Sequence, residues 1–381
     1  MRVLFFYASE IEALGGAESS VRALAEALAR AGHATAILEF AAIKAERQLP
    51  CKVPVWSIPW VTDPRPRNPR SWARFLRCVW QFLRVVRKFK PDIVSVQFPA
   101  WQSPPVVAAY ALPCKWRLVV TVHGSDIRVI PFSQPTLRPW QGCLFDRADA
   151  VTAVSESLLR DALHLYPFVR NKAHVIHNSV SPSWFENEVG IRSGDADQFI
   201  LFVGSFLRVK GADLLLRAWG LIQKRVSGLT LRLVGEGPEL ENLRALSEEL
   251  GVSHSIRFVG KKEQMELRSL YRDAKLVVIP SRNEGLPGVA LEAGACGAVC
   301  VATRVGGLAE IIEERVTGFL VAPESPEALA EGILTALELP VAEKQRMSGA
   351  ATSRIKLHFK QETMVADYEQ LFHSLIRRRL H

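Results

Sequence analysis

Short apolar runs alternate along the chain with longer segments whose apolar residues recur every three or four positions. The runs predict buried strands at residues 3–7, 34–39, 93–97, 118–123, 150–154, 173–177, 200–203, 229–234, 255–259, 276–279 and 299–302. The periodic segments predict helices at residues 19–31, 72–88, 155–165, 212–226, 239–250, 262–272, 287–297, 326–339 and 361–377. This alternation predicts an α/β protein with parallel, doubly wound sheets.

The length of the chain and the distribution of the strands predict two domains. The 381 residues, 48% of them hydrophobic, suffice for two cores. About six predicted strands precede residue 190 and about five follow residue 198, and the polar, glycine-containing segment 186–198 has the composition of a linker. We expect an N-terminal domain at residues 1–190, a C-terminal domain at residues 199–355, and a final segment, residues 356–381, built around the last helix.

The segment from residue 277 to residue 312 has the most specific arrangement of polar groups. An apolar run is followed by a polar loop that contains Glu284, and Pro287 stands where a helix starts. Glu292 falls roughly a turn and a half into that helix. The unpaired amides at a helix start favour an anion, best a phosphate, and a carboxylate nearby can bind sugar hydroxyls.

The spacing of Glu284 and Glu292 resembles the E-x7-E signature of the group 1, or family 4, retaining glycosyltransferases. Five further segments match in the family's order: residues 15–18 (GGAE), 121–124 (TVHG), 175–178 (VIHN), 202–211 (FVGSFLRVKG) and 233–238 (LVGEGP). The resemblance implies the GT-B fold, with two Rossmann-like domains facing across a cleft. It also implies a last helix, within residues 356–381, that crosses back to the N-terminal domain.

The resemblance assigns a set of residues to a nucleotide-diphosphate sugar donor, with a UDP-sugar as the first expectation. The donor and phosphate residues are Gly15, Gly16, Arg208, Lys210, Gly288, Val289 and Glu292. Glycine lets the backbone approach a phosphate closely, and cations neutralise the diphosphate. The family's usual arginine is replaced by Ser205, and Arg208 is the candidate substitute. Glu292 is expected to bind the ribose hydroxyls.

The remaining assignments concern the transferred sugar, the base and the acceptor. His123 and Glu284 are the catalytic candidates and are expected to contact the donor sugar, whereas Asp126 either orients His123 or binds the acceptor. The turn formed by Val259, Gly260 and Lys261 is expected to lie near the base. Acceptor choice is expected in the loops at residues 99–113 and 127–141.

Neither a metal nor another cofactor is expected. Asp195 and Asp197 spell D-x-D, but they lie in the expected linker, and the six cysteines have no zinc spacing. The first ten residues read as a strand rather than a signal segment, and no apolar run reaches the ~18 residues of a membrane span. In this family the leaving phosphate is thought to help deprotonate the acceptor, so a separate catalytic base is not expected.

The net charge of +9 is unevenly distributed. From Arg65 to Lys90 there are nine basic residues and no acidic one. Apolar residues at positions 72, 75, 76, 79, 82, 83 and 86 predict a helix that packs this face on a sheet and turns its arginines to solvent. Such a basic face, aided by Arg377 to Arg379, suits an anionic membrane or an acidic acceptor. No nucleic-acid-binding motif accompanies the charge, so nucleic acid is not an expected partner.

Three alternatives were weighed. A nicotinamide dehydrogenase is disfavoured because the nearest G-x-G-x-x-G match, at residues 235–240, lacks the third glycine. A GT-B sugar-nucleotide epimerase or phosphorylase and a non-catalytic GT-B partner protein remain open, the latter because of Ser205. The interpretation adopted is a bacterial-type hexosyltransferase, cytoplasmic and peripheral to the inner membrane face. It transfers sugar to a glycan or lipid-linked acceptor in cell-surface polysaccharide synthesis.

Overall fold

The computed structural model describes residues 1–11, 16–41, 46–59, 69–110, 115–186, 198–226 and 228–378. The chain divides into two compact units. The N-terminal unit is Met1–Asn178 with Gln361–His381, and the C-terminal unit is Ser179–Lys360. Gly15, Asp195, Asp197 and most of the expected linker lie outside the described residues.

The N-terminal unit is built on an eight-stranded sheet. Its strands are β1 (Arg2–Tyr7), β2 (Ala34–Phe40), β3 (Glu46–Gln48), β4 (Pro54–Ile58), β5 (Ile93–Gln97), β6 (Arg117–Val122), β7 (Ala150–Ala153) and β8 (Ala173–Val175). Its helices up to this point are α1 (Gly16–Arg30), α2 (Pro69–Phe89), α3 (Ser103–Tyr110), α4 (Ser125–Arg128), α5 (Ile130–Ser133), α6 (Arg138–Arg147) and α7 (Glu156–Leu165). The strand order is β3-β4-β2-β1-β5-β6-β7-β8, and the pairings are parallel except for antiparallel β3 and β4.

The C-terminal unit is built on a six-stranded parallel sheet of order β11-β10-β9-β12-β13-β14. Its strands are β9 (Gln198–Val203), β10 (Leu229–Val234), β11 (Ile256–Gly260), β12 (Leu276–Ile279), β13 (Cys300–Thr303) and β14 (Gly318–Val321). Its helices are α8 (Ala212–Ile222), α9 (Leu240–Glu249), α10 (Gln264–Asp273), α11 (Gly288–Ala295), α12 (Leu308–Ile311), α13 (Pro326–Glu338) and α14 (Val341–His358).

The last helix, α15 (Gln361–Arg377), belongs to the N-terminal unit. Its Met364 and Phe372 join the same buried cluster as Val3 and Phe5 of β1. The core of the C-terminal unit forms around Trp219, whose indole nitrogen donates to Ser255 Oγ at 2.9 Å. Near-continuous apolar strands are what a parallel sheet covered on both faces requires, because both sides of each strand are buried.

The structure confirms the α/β class, and every predicted strand and helix overlaps an observed one. It adds elements that the apolar pattern did not predict: β3, β4, β14, the short helices α3 to α6 and α12, and the long helix α14. The expected loops at residues 99–113 and 127–141 are therefore largely helical in their described parts. Pro104 and Pro105 fit α3 because they occupy its first turn, where proline removes no helical hydrogen bond. Helix α14 buries only a narrow face, formed by Met347, Ala351 and Ile355.

The buried face of α2 differs from the prediction. Phe75, Cys78 and Phe82 are buried, as a helix packed on a sheet requires, whereas Trp72 and Leu76 are exposed. The apolar residues of α2 thus form a wide band, and among the described residues one side of this band is buried and the other is exposed.

Each sheet has one point where the order of connections reverses. In the first sheet, β2, β3 and β4 lie on one side of β1, and β5 and the strands after it lie on the other side. In the second sheet, β10 and β11 lie on one side of β9, and β12, β13 and β14 lie on the other side. Ligands of open α/β sheets bind in the crevice beyond the carboxyl ends of the strands at such switch points. Two crevices are therefore predicted, one in each unit.

The turn that leads into α8 makes a testable prediction about packing. Gly211 has φ +70°, and a Cβ atom there would overlap the carbonyl of Pro280 at the end of β12, whereas Gly251 has φ +68° and open space around it. We expect Gly251→Ala to lower the free energy of unfolding by about 1 kcal/mol, the cost of left-handed backbone. Gly211→Ala is expected to cost at least about 2 kcal/mol more because of the overlap. Urea unfolding of both variants tests this, and equal losses contradict it.

Candidate active site

An ion pair lies at the switch point of the C-terminal unit. Lys210, in the turn after β9, places its Nζ atom 2.8 Å from Oε1 and 3.0 Å from Oε2 of Glu284, in the loop after β12. Ser281 Oγ also donates to Glu284 Oε1, at 2.7 Å. The Glu284 side chain is 8% exposed and that of Lys210 is 31% exposed. The two residues that the sequence assigned to different parts of the donor are therefore direct partners in this structure.

The turn that carries Lys210 is held by an arginine that the sequence analysis did not select. Arg282 donates from Nη1 and Nη2 to the two carboxylate oxygens of Asp213, at 2.7 and 2.8 Å, and from Nη1 to the carbonyl of Arg208 at 2.6 Å. The Asp213 carboxylate raises the pKa of Arg282. Burial raises the pKa of Asp213, but the Arg282 guanidinium outweighs this and holds it below its usual range. Arg208 contributes its carbonyl to this network, and its side chain is exposed.

Glycines bring the neighbouring loops into close contact. Gly235, after β10, has φ +141°, and a Cβ atom there would overlap the carbonyl of Gly204 at the end of β9. The Gly235 amide donates to the carbonyl of Gly260 at 3.0 Å, which places the turn of Val259 to Lys261 beside it. Gly260 itself has φ +72°, and the Lys261 side chain is exposed. Ser205 lies half-buried in the loop after β9.

Helix α11 begins beside the Glu284 loop. Pro287 is its N-cap residue. The amides of Gly288 and Val289 lie in the first turn, where no preceding carbonyl of the helix can accept a hydrogen bond from them. A Cβ atom on Gly288 would lie 3.7 Å from Glu292 Oε1, so the carboxylate folds back toward the start of the helix. The phenol of Tyr271, on α10, donates to Glu292 Oε2 at 3.0 Å. Burial raises the pKa of Glu292 to about 7, against the lowering effect of this hydrogen bond.

In the N-terminal unit, Asp126 fixes the loop that carries His123. Its buried carboxylate accepts hydrogen bonds from the amide of His123, at 2.9 Å, and from the amide of Gly124, at 2.6 Å. Burial raises the pKa of Asp126 to about 7 although these amides lower it. Burial also lowers the pKa of His123 to about 4, so the imidazole is neutral near pH 7. Of the two roles suggested for Asp126, this geometry favours orienting the His123 loop.

A second buried carboxylate holds the backbone just before the glycine segment at residues 15–18. Glu39, near the end of β2, accepts from the amide of Ile11 at 2.8 Å, from Arg47 at 2.6 Å and from Ser57 Oγ at 2.7 Å. Gly16 is the first residue of α1. Residues 12–15 lie outside the described residues, and on either side of them the chain has an anchored amide and a helix N-terminus.

Several residues of these two sites were missed by the sequence analysis. They are Glu39, Asp213, Tyr271 and Arg282. A fifth is Gln97, whose side-chain oxygen lies 2.8 Å from Nε2 of His123. Glu39 and Gln97 had a visible signal, because each is a polar residue at or next to the carboxyl end of a mostly apolar strand. Asp213, Tyr271 and Arg282 had none, because their partners are distant in sequence or lie on other elements.

In the part of the chain that the structure describes, no group of three or more His, Cys, Asp or Glu side chains is placed to hold a metal ion. Among the described helices, none combines the length and apolar character needed to cross a membrane.

Comparisons with known proteins agree with the fold. The family model described as "Glycosyl transferases group 1" matches residues 186–354, and "Glycosyltransferase Family 4" matches residues 14–184. A solved structure of HepE from Anabaena in complex with UDP-glucose has a TM-score of 0.78 and 20% sequence identity, and the match covers 98% of this chain and 99% of that chain. The fold is that of the GT-B glycosyltransferases.

Curated relatives support the assignment of the chain to a glycosyltransferase family. D-inositol 3-phosphate glycosyltransferase 1 of Catenulispora acidiphila is 30% identical over 72% of this chain and 71% of its own length. N-acetyl-alpha-D-glucosaminyl L-malate synthase of Bacillus anthracis is 27% identical over 68% of each chain. The chain belongs to the group 1, family 4 glycosyltransferases.

The raised pKa of Glu292 predicts a pH-dependent affinity for nucleotide. The family resemblance assigns the ribose hydroxyls to Glu292, and hydroxyls donate to the ionised carboxylate, so the affinity for UDP is expected to rise as the pH passes upward through about 7. From about pH 6 to pH 8 the gain is about tenfold, since about a tenth of the carboxyl is ionised one pH unit below its pKa. Calorimetric titration of UDP at several pH values measures this gain. The Glu292→Gln variant is the control for the titration of UDP's own phosphate, and the same pH dependence in both proteins contradicts the prediction.

Proposed function

We propose that the protein transfers a hexose from a UDP-sugar to a hydroxyl group of a glycan or lipid-linked acceptor, with retention of the anomeric configuration, in bacterial cell-surface polysaccharide synthesis. The observation that carries this proposal is the arrangement at the switch point of the C-terminal unit. A cation, a helix start and two carboxylates lie together there, which matches the groups of a nucleotide-diphosphate sugar.

Each group has a proposed partner on the donor. The first-turn amides of Gly288 and Val289, with Lys210, bind the diphosphate, because helix starts and cations both favour phosphate. Glu292 accepts hydrogen bonds from the ribose hydroxyls, and Glu284 from the transferred sugar. The turn at Val259 to Lys261 lies beside the base. UDP-glucose in HepE supports UDP as the nucleotide.

The remaining donor contacts come from the family resemblance. Gly15 and Gly16 are proposed to offer backbone amides to a phosphate, and His123 to contact the donor sugar. Arg208 remains the candidate for the arginine lost at Ser205, since its exposed side chain leaves it able to reach a ligand. In the reaction, the bond between the anomeric carbon and the phosphate oxygen breaks. The acceptor oxygen bonds to that carbon on the same face, and its proton passes to the leaving phosphate.

The acceptor has a second candidate class. The names of the two relatives specify D-inositol 3-phosphate and L-malate, which are small anionic molecules. The net charge of +9 also favours an anionic acceptor. A small anionic acceptor is therefore proposed as the alternative to a glycan.

Donor binding and site assignment are tested together. UDP, GDP, ADP and their hexose conjugates are titrated while the melting temperature is measured, because a ligand of the folded state raises it by mass action. We expect a rise with UDP and UDP-hexoses. Glu292→Gln is expected to abolish most of the rise with UDP. Glu284→Gln is expected to retain the rise and to lower kcat at least tenfold, about 1.4 kcal/mol in the activation free energy.

The outcomes separate the rival functions. No rise with any nucleotide supports a non-catalytic partner protein in which the loss at Ser205 has disabled donor binding. Conversion of a UDP-hexose without an acceptor supports an epimerase. Unchanged transfer in both glutamate variants contradicts the site assignment.

The exposed side of α2 is proposed to bind an anionic membrane. Trp72, Leu76 and Trp80 follow one another at four-residue intervals and are 42%, 61% and 55% exposed. We call these three residues the α2 ridge. The exposed arginines of the flank beside it are Arg74, Arg77, Arg84 and Arg87. Helices with an apolar ridge and a basic flank lie in the headgroup region of anionic bilayers.

Vesicle sedimentation tests the membrane proposal. We expect binding to phosphatidylglycerol vesicles, weak binding to phosphatidylcholine vesicles, and loss of binding at high salt. Replacing Arg74 and Arg77 by Gln is expected to weaken binding roughly thirtyfold, since each surface cation contributes about 1 kcal/mol. Leu76→Ser is expected to weaken it as well. Leu357→Ser, at an equally exposed leucine of the C-terminal unit, is the matched control. The proposal is contradicted if the double arginine variant, Leu76→Ser and Leu357→Ser all bind phosphatidylglycerol vesicles equally.

A further inference from the structure

A buried polar network in the N-terminal unit surrounds Gln97. This residue is the last of β5, lies at the switch point between β1 and β5, and is 1% exposed. Its amide nitrogen donates to Ser95 Oγ at 2.8 Å and to Thr121 Oγ1 at 2.9 Å. Its amide oxygen lies 2.8 Å from Nε2 of His123. Thr152 Oγ1, on β7, donates to Thr121 Oγ1 at 2.7 Å, so the network spans three strands.

The network determines which nitrogen of His123 carries the proton. The two N–H groups of a primary amide are its only donors, and here both are directed at hydroxyl oxygens. With the Gln97 amide in this orientation, its oxygen faces His123 and can only accept, so the orientation assigns the proton to Nε2 of His123. A neutral imidazole protonated at Nε2 has an unprotonated Nδ1, which is an acceptor. The lowered pKa of His123 agrees with a neutral ring.

The other nitrogen of the ring lacks a partner. Among the residues that the structure describes, Nδ1 of His123 is buried and makes no hydrogen bond. A buried acceptor left unpaired is destabilising, so the site favours a ligand that brings a donor. The Asp126 carboxylate holds the main chain of His123, and Gln97 holds the ring, so both the loop and the side chain are fixed.

We propose that Gln97 is a positioning residue for the transfer reaction. It locks His123 as the Nε2-protonated tautomer, so that Nδ1 accepts a hydrogen bond from a hydroxyl group of the donor sugar. This proposal rests on the proposed function for the sugar contact, whereas the tautomer itself is a property of the free protein.

Nitrogen-15 NMR of histidine-labelled protein tests both parts. The His123 resonances are identified by their loss in the His123→Asn variant. In the free protein, near neutral pH, we expect a protonated Nε2 and an unprotonated Nδ1, and the opposite tautomer overturns the proposal. UDP-glucose is expected to move the Nδ1 resonance toward its hydrogen-bonded value, whereas UDP alone leaves it in place.

Binding is followed independently by the melting temperature, which keeps the two hypotheses distinguishable. If UDP-glucose binds and the Nδ1 resonance does not move, the sugar contact is wrong although the proposed function stands. If no nucleotide sugar binds, the proposed function and the sugar contact both fail, and the tautomer is still read in the free protein.

Variants at Gln97 separate positioning from simple packing. Gln97→Met fills a similar volume but cannot accept a hydrogen bond, so we expect a mixture of tautomers and a kcat at least tenfold lower. In Gln97→Glu, the carboxylate still accepts from Nε2 but raises the pKa of His123. This variant is expected to be active at high pH and to lose activity as the pH falls, because the doubly protonated ring can no longer accept at Nδ1.

Thr152→Val is the matched control, since it removes a buried hydroxyl from the same network without touching Gln97 or His123. We expect it to keep the wild-type tautomer and a kcat within about threefold of wild type. Equal losses of kcat and melting temperature in Thr152→Val and Gln97→Met, with no loss of activity at low pH in Gln97→Glu, indicate a purely structural cluster and overturn the proposal.

Discussion

Parallel strands covered by helices on both faces leave polar groups little place except at the strand ends, where each must find a partner. Both sheets of this protein obey that constraint, and both candidate sites follow from it. At the end of β9 and β12, Lys210 and Glu284 satisfy each other, and Arg282 satisfies Asp213. At the end of β5 and β6, Gln97 satisfies His123. The residues that suit chemistry and the residues that complete the hydrogen bonding of the fold are therefore the same or adjacent ones.

The buried carboxylates show how the surroundings decide what such a group does. Glu39 has an arginine, a hydroxyl and an amide as partners, and these contacts make it an anchor for the backbone. Asp126 has backbone amides, and it shapes a loop. Among the described residues, Glu292 accepts a hydrogen bond from the phenol of Tyr271, and burial raises its pKa to about 7. One phenol leaves most of the acceptor capacity of the carboxylate unused, which suits the proposed contact with ribose hydroxyls.

The sequence predicted the fold class and most of the elements because their apolar periodicity is strong. It missed β3, whose three residues are all polar, and α14, whose buried face is narrow. It named Lys210, Glu284 and Glu292, but it did not predict that Lys210 and Glu284 contact each other, since 74 positions separate them. The sequence also could not predict the proton position on His123, because that depends on an amide and two hydroxyls that two neighbouring strands bring together. The exposed side of α2 was not predicted because periodicity shows that a helix has an apolar band and does not show how much of the band is covered.

The ion pair of Lys210 and Glu284 has a further consequence for the catalytic cycle. Glu284 is tethered beside the ammonium group, so it is a resident competitor at high effective concentration for any anion that approaches Lys210. In the proposed role of Lys210, a diphosphate gains only the difference between its own attraction and that of the carboxylate, and the same exchange operates in reverse when the spent nucleotide leaves. Lys210 and Glu284 therefore present a neutral pair to the solvent rather than an unpaired cation. An enzyme built in this way gives up part of its affinity for the nucleotide and in return releases its product readily.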